Sequence, residues 1–171
     1  MKYWSAARML VQEMFELGIR GLIFYSSAYA ANASALLFRG RRQIDFGRVF
    51  IDGKPIFGSG KTFRGFFLGL VIGAFTGVIV GNPAVVSFLT SLGALLGDLT
   101  GAFIKRRLSI KPGDPAPILD QFDFMLGATL LSQPWNYLDP RAIIIIMALT
   151  PVVHLVSNFS AFLLKIKKVP W

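Results

Sequence analysis

Residues 97–124 read GDLTGAFIKRRLSIKPGDPAPILDQFDF, and the fold turns on what this stretch joins. Four of the nine carboxylates lie in it, Asp98, Asp114, Asp120 and Asp123, beside the cations Lys105, Arg106, Arg107 and Lys111. On both sides the chain is almost uniformly apolar. Carboxylates inside apolar helices are costly, so such residues usually have a job. Asp98 enters one helix about two turns before its cationic end. Asp120 and Asp123 open the next helix, three apart and on one face. The Pro-Gly-Asp-Pro-Ala-Pro turn folds the two helices together, so Asp98, Asp120 and Asp123 are expected to converge near a membrane surface. That arrangement suits a divalent cation.

Working outward, the 171-residue chain is 54% hydrophobic and only 16% charged, too apolar for an ordinary soluble domain. Its seventeen glycines suit close helix packing in lipid. With no cysteine there is no disulfide framework, thiolate metal site or cysteine nucleophile. The fold class expected is an all-α integral membrane protein, one membrane-embedded domain over 1–171. Helices are predicted over about 15–38, 64–81, 84–107, 118–133 and 141–164, with cytoplasmic loops 39–63 and 108–117 forming a polar cavity. The segment before the first span is mildly amphipathic, and its mixed charges exclude a signal peptide. Gly69, Gly73 and Gly77 recur every fourth residue in the second helix, a small-xxx-small packing face. Trp135 and Tyr137 suit the aromatic belt, as do Pro170 and Trp171 at the tail.

Charge placement sets orientation. Seven Lys/Arg lie in 39–64, four in 105–111 and three in the tail at Lys165, Lys167 and Lys168, fourteen of the eighteen. Five alternating helices put all of these on one side. The positive-inside rule makes that side cytoplasmic and the N-terminus external. A net charge of +9 is compatible with nucleic acid, anionic lipid or a phosphorylated substrate. Its clustering around membrane helices speaks for the last two and against nucleic acid.

Within the first loop, Gly58-Ser59-Gly60-Lys61-Thr62 immediately precedes a helix, where backbone N–H groups bind anions. It is not a Walker loop, because Pro55 stands where that motif needs glycine. Lys61, Thr62 and Arg64 reinforce a generic anion nest. Lys105 lies seven residues after Asp98 and shares nearly its face. Gly101 and Ala102 beside Asp98, and Gly127 four after Asp123, suggest space for a ligand. His154, the sole histidine, with Asn158 four residues on, reads as a packed or hydrogen-bonded helix residue.

The Gly-Asp, Lys-Arg, Pro-Gly and Leu-Asp-x-x-Asp elements of 97–124 resemble the signature of the phosphatidate cytidylyltransferase family, the CDP-diacylglycerol synthases. The DGKPIFGSGKTFRG loop, the short chain and the closing Lys-Lys-Val-Pro-Trp resemble the archaeal branch, the CDP-archaeol synthases. Residues 112–117 replace the bacterial Pro-Gly-His-Gly-Gly, so no histidine role carries over, and Gln121 stands at the family's arginine. The resemblance implies transfer of CMP from CTP to the phosphate of 2,3-bis-O-geranylgeranylglycerol 1-phosphate, an isoprenoid ether lipid phosphate, in the cell membrane. It implies one or two Mg²⁺ held by Asp98, Asp120 and Asp123. Catalysis would use Asp98, Lys105, Arg106 and Asp120, and CTP would be held by Asp52, Gly60, Lys61, Thr62, Arg64, Lys111 and Asp114. A CTP-dependent polyprenol or lipid kinase and a small anion transporter are the alternatives.

Overall fold

The computed structural model describes residues 2–114, 116–135 and 137–163. They form five helices: α1 Lys2–Leu37, α2 Phe63–Ile79, α3 Ala84–Arg107, α4 Pro117–Ser132 and α5 Pro140–Leu163. No strand occurs among the described residues, only two isolated bridges in the α1–α2 loop. The first helix begins at Lys2 rather than near Phe15, because no proline separates the amphipathic N-terminal turns from the apolar ones. The other boundaries fall within a residue or two of those expected.

Two units share the chain, Phe24–Tyr137 and the pairing of Met1–Ile23 with Leu138–Trp171. In the latter, a Cβ on Gly18 would meet Ile145, and one on Gly21 would meet Ile146 and the carbonyl of Ala142. Glycine there lets α1 and α5 approach closely. Arg141 pairs with Glu13 at 2.6 Å and with Asp139 at 2.9 Å. The tail cations, Pro170 and Trp171, and the side chains of His154 and Asn158, lie outside what is described.

In Phe24–Tyr137, α2 shows how the sequence builds a membrane helix. Its buried residues are Gly65, Gly69, Gly73 and Gly77, one face at every fourth position. Added Cβ atoms there would strike the Ala31 and Ala35 carbonyl and methyl groups of α1, or Ser87 and Ser91 of α3. The opposite face exposes Phe67, Val71, Phe75 and Ile79. Small residues inward and bulky apolar ones outward invert the soluble pattern and suit lipid. α3 has the length and hydropathy to cross a bilayer by itself. At 17 residues, α2 is roughly 25 Å long, somewhat short of a ~30 Å hydrocarbon core.

The α3–α4 crossing repeats the device. Cβ atoms on Gly93 and Gly97 would run into the backbone of Gly127 and Asp123, and one on Gly127 into Gly93 and Gly97. Gly127 is therefore spent on backbone contact and leaves no ligand space, contrary to the sequence expectation. Bulk at any of these glycines would part the two helices that carry the carboxylates.

Candidate active site

The α1–α2 loop is folded back on itself. Gln43 bridges Thr62, Ile44 N–H donates to the Lys61 carbonyl at 2.9 Å, and Phe63 N–H donates to the Arg42 carbonyl at 3.1 Å. Thr62 is the N-cap of α2: its buried hydroxyl accepts from Gly65 N–H at 3.3 Å and from Gly40 N–H at 3.0 Å. The hydroxyl oxygen expected to meet phosphate thus has two structural partners.

A residue that the sequence reading passed over organises this loop. Asp45 is only 5% exposed. Its Oδ2 accepts from the N–H groups of Phe57 and Gly58, each at 2.9 Å, and its Oδ1 from Gly47 N–H at 3.0 Å. Burial raises its pKa, but the backbone donors outweigh that and hold the carboxyl below its ordinary range. The Asp-x-Gly spacing hints at the local Asx turn. The two donors twelve and thirteen residues on have no local signal.

Two ion pairs cross the site. Lys61 Nζ sits 2.6 Å from both oxygens of Asp98, joining the glycine loop to the middle of α3. Lys105 of α3 pairs with Asp120 of α4, whose other oxygen accepts Ala116 N–H at 2.9 Å and closes the first turn of α4. All four side chains are partly buried. Arg106 is 5% exposed, and its Nε and Nη1 have no hydrogen-bond partner. Nη1 points towards Gly58, where an added Cβ would lie 3.8 Å away. A buried guanidinium with free donors beside a glycine turn is suited to receive an anion.

The other predicted residues are distributed differently. Asp52 pairs with Arg107 at 2.9 Å. Gly60 is exposed, with open space where a Cβ would stand. Arg64, Lys111 and Asp114 are exposed, and Asp114 N–H closes a turn onto the Lys111 carbonyl at 3.0 Å. Between these elements lies a cleft lined by Asn32 and Leu36 of α1, Gly60, Lys61 and Thr62 of the loop, Phe66 of α2, and Leu95, Asp98 and Leu99 of α3. Asn32, a polar residue in the largely apolar second half of α1, is a polar group of the cleft wall.

The expected meeting of Asp98, Asp120 and Asp123 takes a looser form. Among the described residues no three acids form a ready metal group. Asp98 and Asp120 each lie against a lysine, whereas Asp123 has no ion-pair partner there and packs its carboxylate against Gly101, taking the space that the sequence expectation left for a ligand. Like charges packed together demand counter-charges, and the two lysines supply them. The donor set still fits magnesium, which takes hard oxygen ligands and commonly one or two carboxylates together with substrate phosphates.

The family model described as CarS-like CDP-archaeol synthase matches residues 14–86 and 80–171. A CDP-archaeol synthase of Thermofilum pendens is 44% identical over 164 residues, covering 89% of this chain and 80% of that protein. One of Methanopyrus kandleri is 44% identical over 164 residues, covering 91% and 94%. A solved structure of an intramembrane enzyme for archaeal membrane lipid biosynthesis matches with a TM-score of 0.78 and 40% identity, covering 82% of this chain and 94% of that one.

Proposed function

The chain belongs to the CarS-like CDP-archaeol synthase family, and from that premise we propose that it transfers CMP from CTP to the phosphate of 2,3-bis-O-geranylgeranylglycerol 1-phosphate. The observation that carries the mechanism is the pairing of cations and carboxylates across the loop, α3 and α4, beside the unpaired guanidinium of Arg106. Both substrates are polyanions, so a basic cavity must first overcome their repulsion. Lys61, Arg64 and Lys111 receive the triphosphate. Arg106, buried and short of acceptors, meets charge that grows on the phosphorus centre.

The chemistry is a displacement at the α-phosphorus of CTP. An oxygen of the lipid phosphate forms the new P–O bond, the bond to the β-phosphate breaks, and pyrophosphate leaves with the electron pair. The attacking oxygen is already anionic, so no protein nucleophile or strong general base is needed. Asp98, Asp120 and Asp123 would hold Mg²⁺, which neutralises phosphate oxygens and the leaving pyrophosphate when bound. Lys61 and Lys105 orient the first two acids through their ion pairs. Catalysis on this reading is positioning and electrostatics. By the positive-inside rule, with eleven of the eighteen cations in 39–64 and 105–111, this reading puts the site and C-terminus in the cytoplasm and the N-terminus outside.

The test uses purified protein in detergent with CTP, Mg²⁺ and the geranylgeranylated glycerol phosphate. The expected products are pyrophosphate and a CDP-lipid, both lost with EDTA. CDP formed without pyrophosphate would replace this reading with a kinase. Product formation undiminished by EDTA would remove magnesium from it.

A further inference from the structure

The loop between α1 and α2 carries a feature that the reaction does not use. Residues 48–56 form a tight hairpin: Phe50 N–H donates to the Lys54 carbonyl at 2.8 Å, and Ile56 N–H to the Arg48 carbonyl at 3.2 Å. At its tip Ile51 is 93% exposed, with Val49 at 61%. Phe46, just before the hairpin, is 58% exposed and takes a left-handed backbone, φ +53°. Bulky residues rarely adopt that conformation, and one so held and so exposed calls for a function.

This apolar tip is pinned in place. Arg107, the last residue of α3, pairs with Asp52 and donates from Nη2 to the Pro55 carbonyl at 2.6 Å. Its guanidinium lies against the rings of both Phe50 and Phe103, 4.9 and 4.6 Å from their centroids. Lys54 Nζ returns the contact, donating to the Arg107 carbonyl at 3.0 Å and to Ser109 Oγ at 2.8 Å. The hairpin is therefore fixed level with the end of a membrane-spanning helix, next to the exposed Ile104 and Leu108. The same loop leaves α1 just after exposed Leu36, Leu37 and Phe38. Both helix ends mark where lipid-facing apolar surface gives way to charge.

Arg39, Arg41, Arg42 and Arg48 are exposed in this loop, and none forms an ion pair among the described residues. Exposed Phe, Val and Ile interleaved with unpaired arginines, at the height of a membrane surface, is the composition of an interfacial anchor. We propose that the 46–51 turn inserts into the boundary between headgroups and acyl chains, with Phe46, Val49 and Ile51 in the apolar layer and Arg41 and Arg48 on the phosphates of anionic bilayer lipids. Arg42 lies over the rings of Phe46 and Phe63, 5.3 and 5.9 Å from their centroids, and stiffens the turn. The anchor would hold the glycine loop and its Lys61 at the surface where a lipid phosphate arrives.

Because the chain has no cysteine, an Ile51→Cys variant takes a single environment-sensitive fluorophore. The labelled full chain is reconstituted in nanodiscs of phosphatidylcholine alone and of phosphatidylcholine with phosphatidylglycerol. The expected result is blue-shifted emission quenched by lipids spin-labelled high on the acyl chain. Quenching should be at least twofold stronger with phosphatidylglycerol, and that increment should be lost in Arg41→Gln/Arg48→Gln. Emission as in water in both discs would overturn the proposal. Quenching indifferent to phosphatidylglycerol would remove the arginines' role and overturn it too, as would cross-linking of two Ile51→Cys chains in place of lipid contact. Adding Asp98→Asn to labelled Ile51→Cys should leave the quenching as it is in labelled Ile51→Cys alone, which separates this surface from catalysis.

Discussion

Removing the Asp45 carboxylate should open the glycine loop without unfolding the helices. Three backbone N–H groups donate to this buried side chain, two of them from Phe57 and Gly58 at the head of the loop that ends in Lys61. Hydrogen bonds to a charged group contribute roughly 1.5–3 kcal/mol each, and stranding buried donors adds cost. Two of the three share one oxygen, and an opened loop rehydrates its donors, so Asp45→Ala should lose roughly 3–5 kcal/mol locally. At about 1.4 kcal/mol per tenfold, the open population rises between about a hundredfold and a few thousandfold. Hydrogen exchange of the peptide containing Phe57 and Gly58 reads this directly, with α2 and α3 amides as internal reference. Turnover should fall in parallel, because Lys61 no longer holds its place on Asp98. Asp45→Asn keeps one acceptor and should fall between. The depressed folded pKa sets the pH dependence. Stabilisation is full above the unfolded carboxylate value near ~3.9 and is lost as pH falls through the lower folded value. Protection corrected for intrinsic rates should therefore be flat from about pH 7 to 5 and decline only in stronger acid, and Asp45→Asn should show no such decline. Wild-type exchange at Phe57 and Gly58 in Asp45→Ala would refute the reasoning.

Other substitutions separate the remaining roles. Asp98→Asn and Asp120→Asn should each lower turnover by roughly a thousandfold or more while the protein stays folded in detergent; near-full activity in either removes that acid from the mechanism. A Lys61→Met, Asp98→Asn double variant should lose less than the sum of the singles in free energy, since each single strands a partly buried charge, and strict additivity would show the pair uncoupled. Gly101→Ala places a methyl group on the Asp123 carboxylate and should cost about 1–3 kcal/mol in stability and more than tenfold in turnover; unchanged kcat would mean that the position of Asp123 does not matter. Arg106→Lys keeps the charge but loses the fork of donors, so kcat/KM should fall at least tenfold, and full retention would show that its free N–H groups are unused.

The helices were legible in the sequence because their signals are local. Proline and glycine at 112–117 stop one helix and start another, the apolar runs set the lengths, and glycine at every fourth position of α2 announces a face that must touch backbone. The chemistry of 97–124 was legible for a related reason: charges within membrane helices stand out against their surroundings, so Asp98, Lys105, Arg106 and Asp120 could be singled out before any contact was known. What each acid touches was not. Lys61 reaches Asp98 across 37 residues, Lys105 pairs with Asp120, and Asp123 packs beside Gly101. Gly127, which suggested room for a ligand, is filled by the backbone of α3. Nothing local marked the distant donors to Asp45 or showed the partner of Asp52, and only folding brings Asp45 to Phe57 and Gly58 and Asp52 to Arg107. Helix type and membrane residence depend on side-chain size, polarity and spacing along one segment, which the sequence alone determines. Pairings depend on how segments distant in the chain cross, and that crossing is set by close backbone packing at Gly93, Gly97 and Gly127, which only the tertiary structure decides.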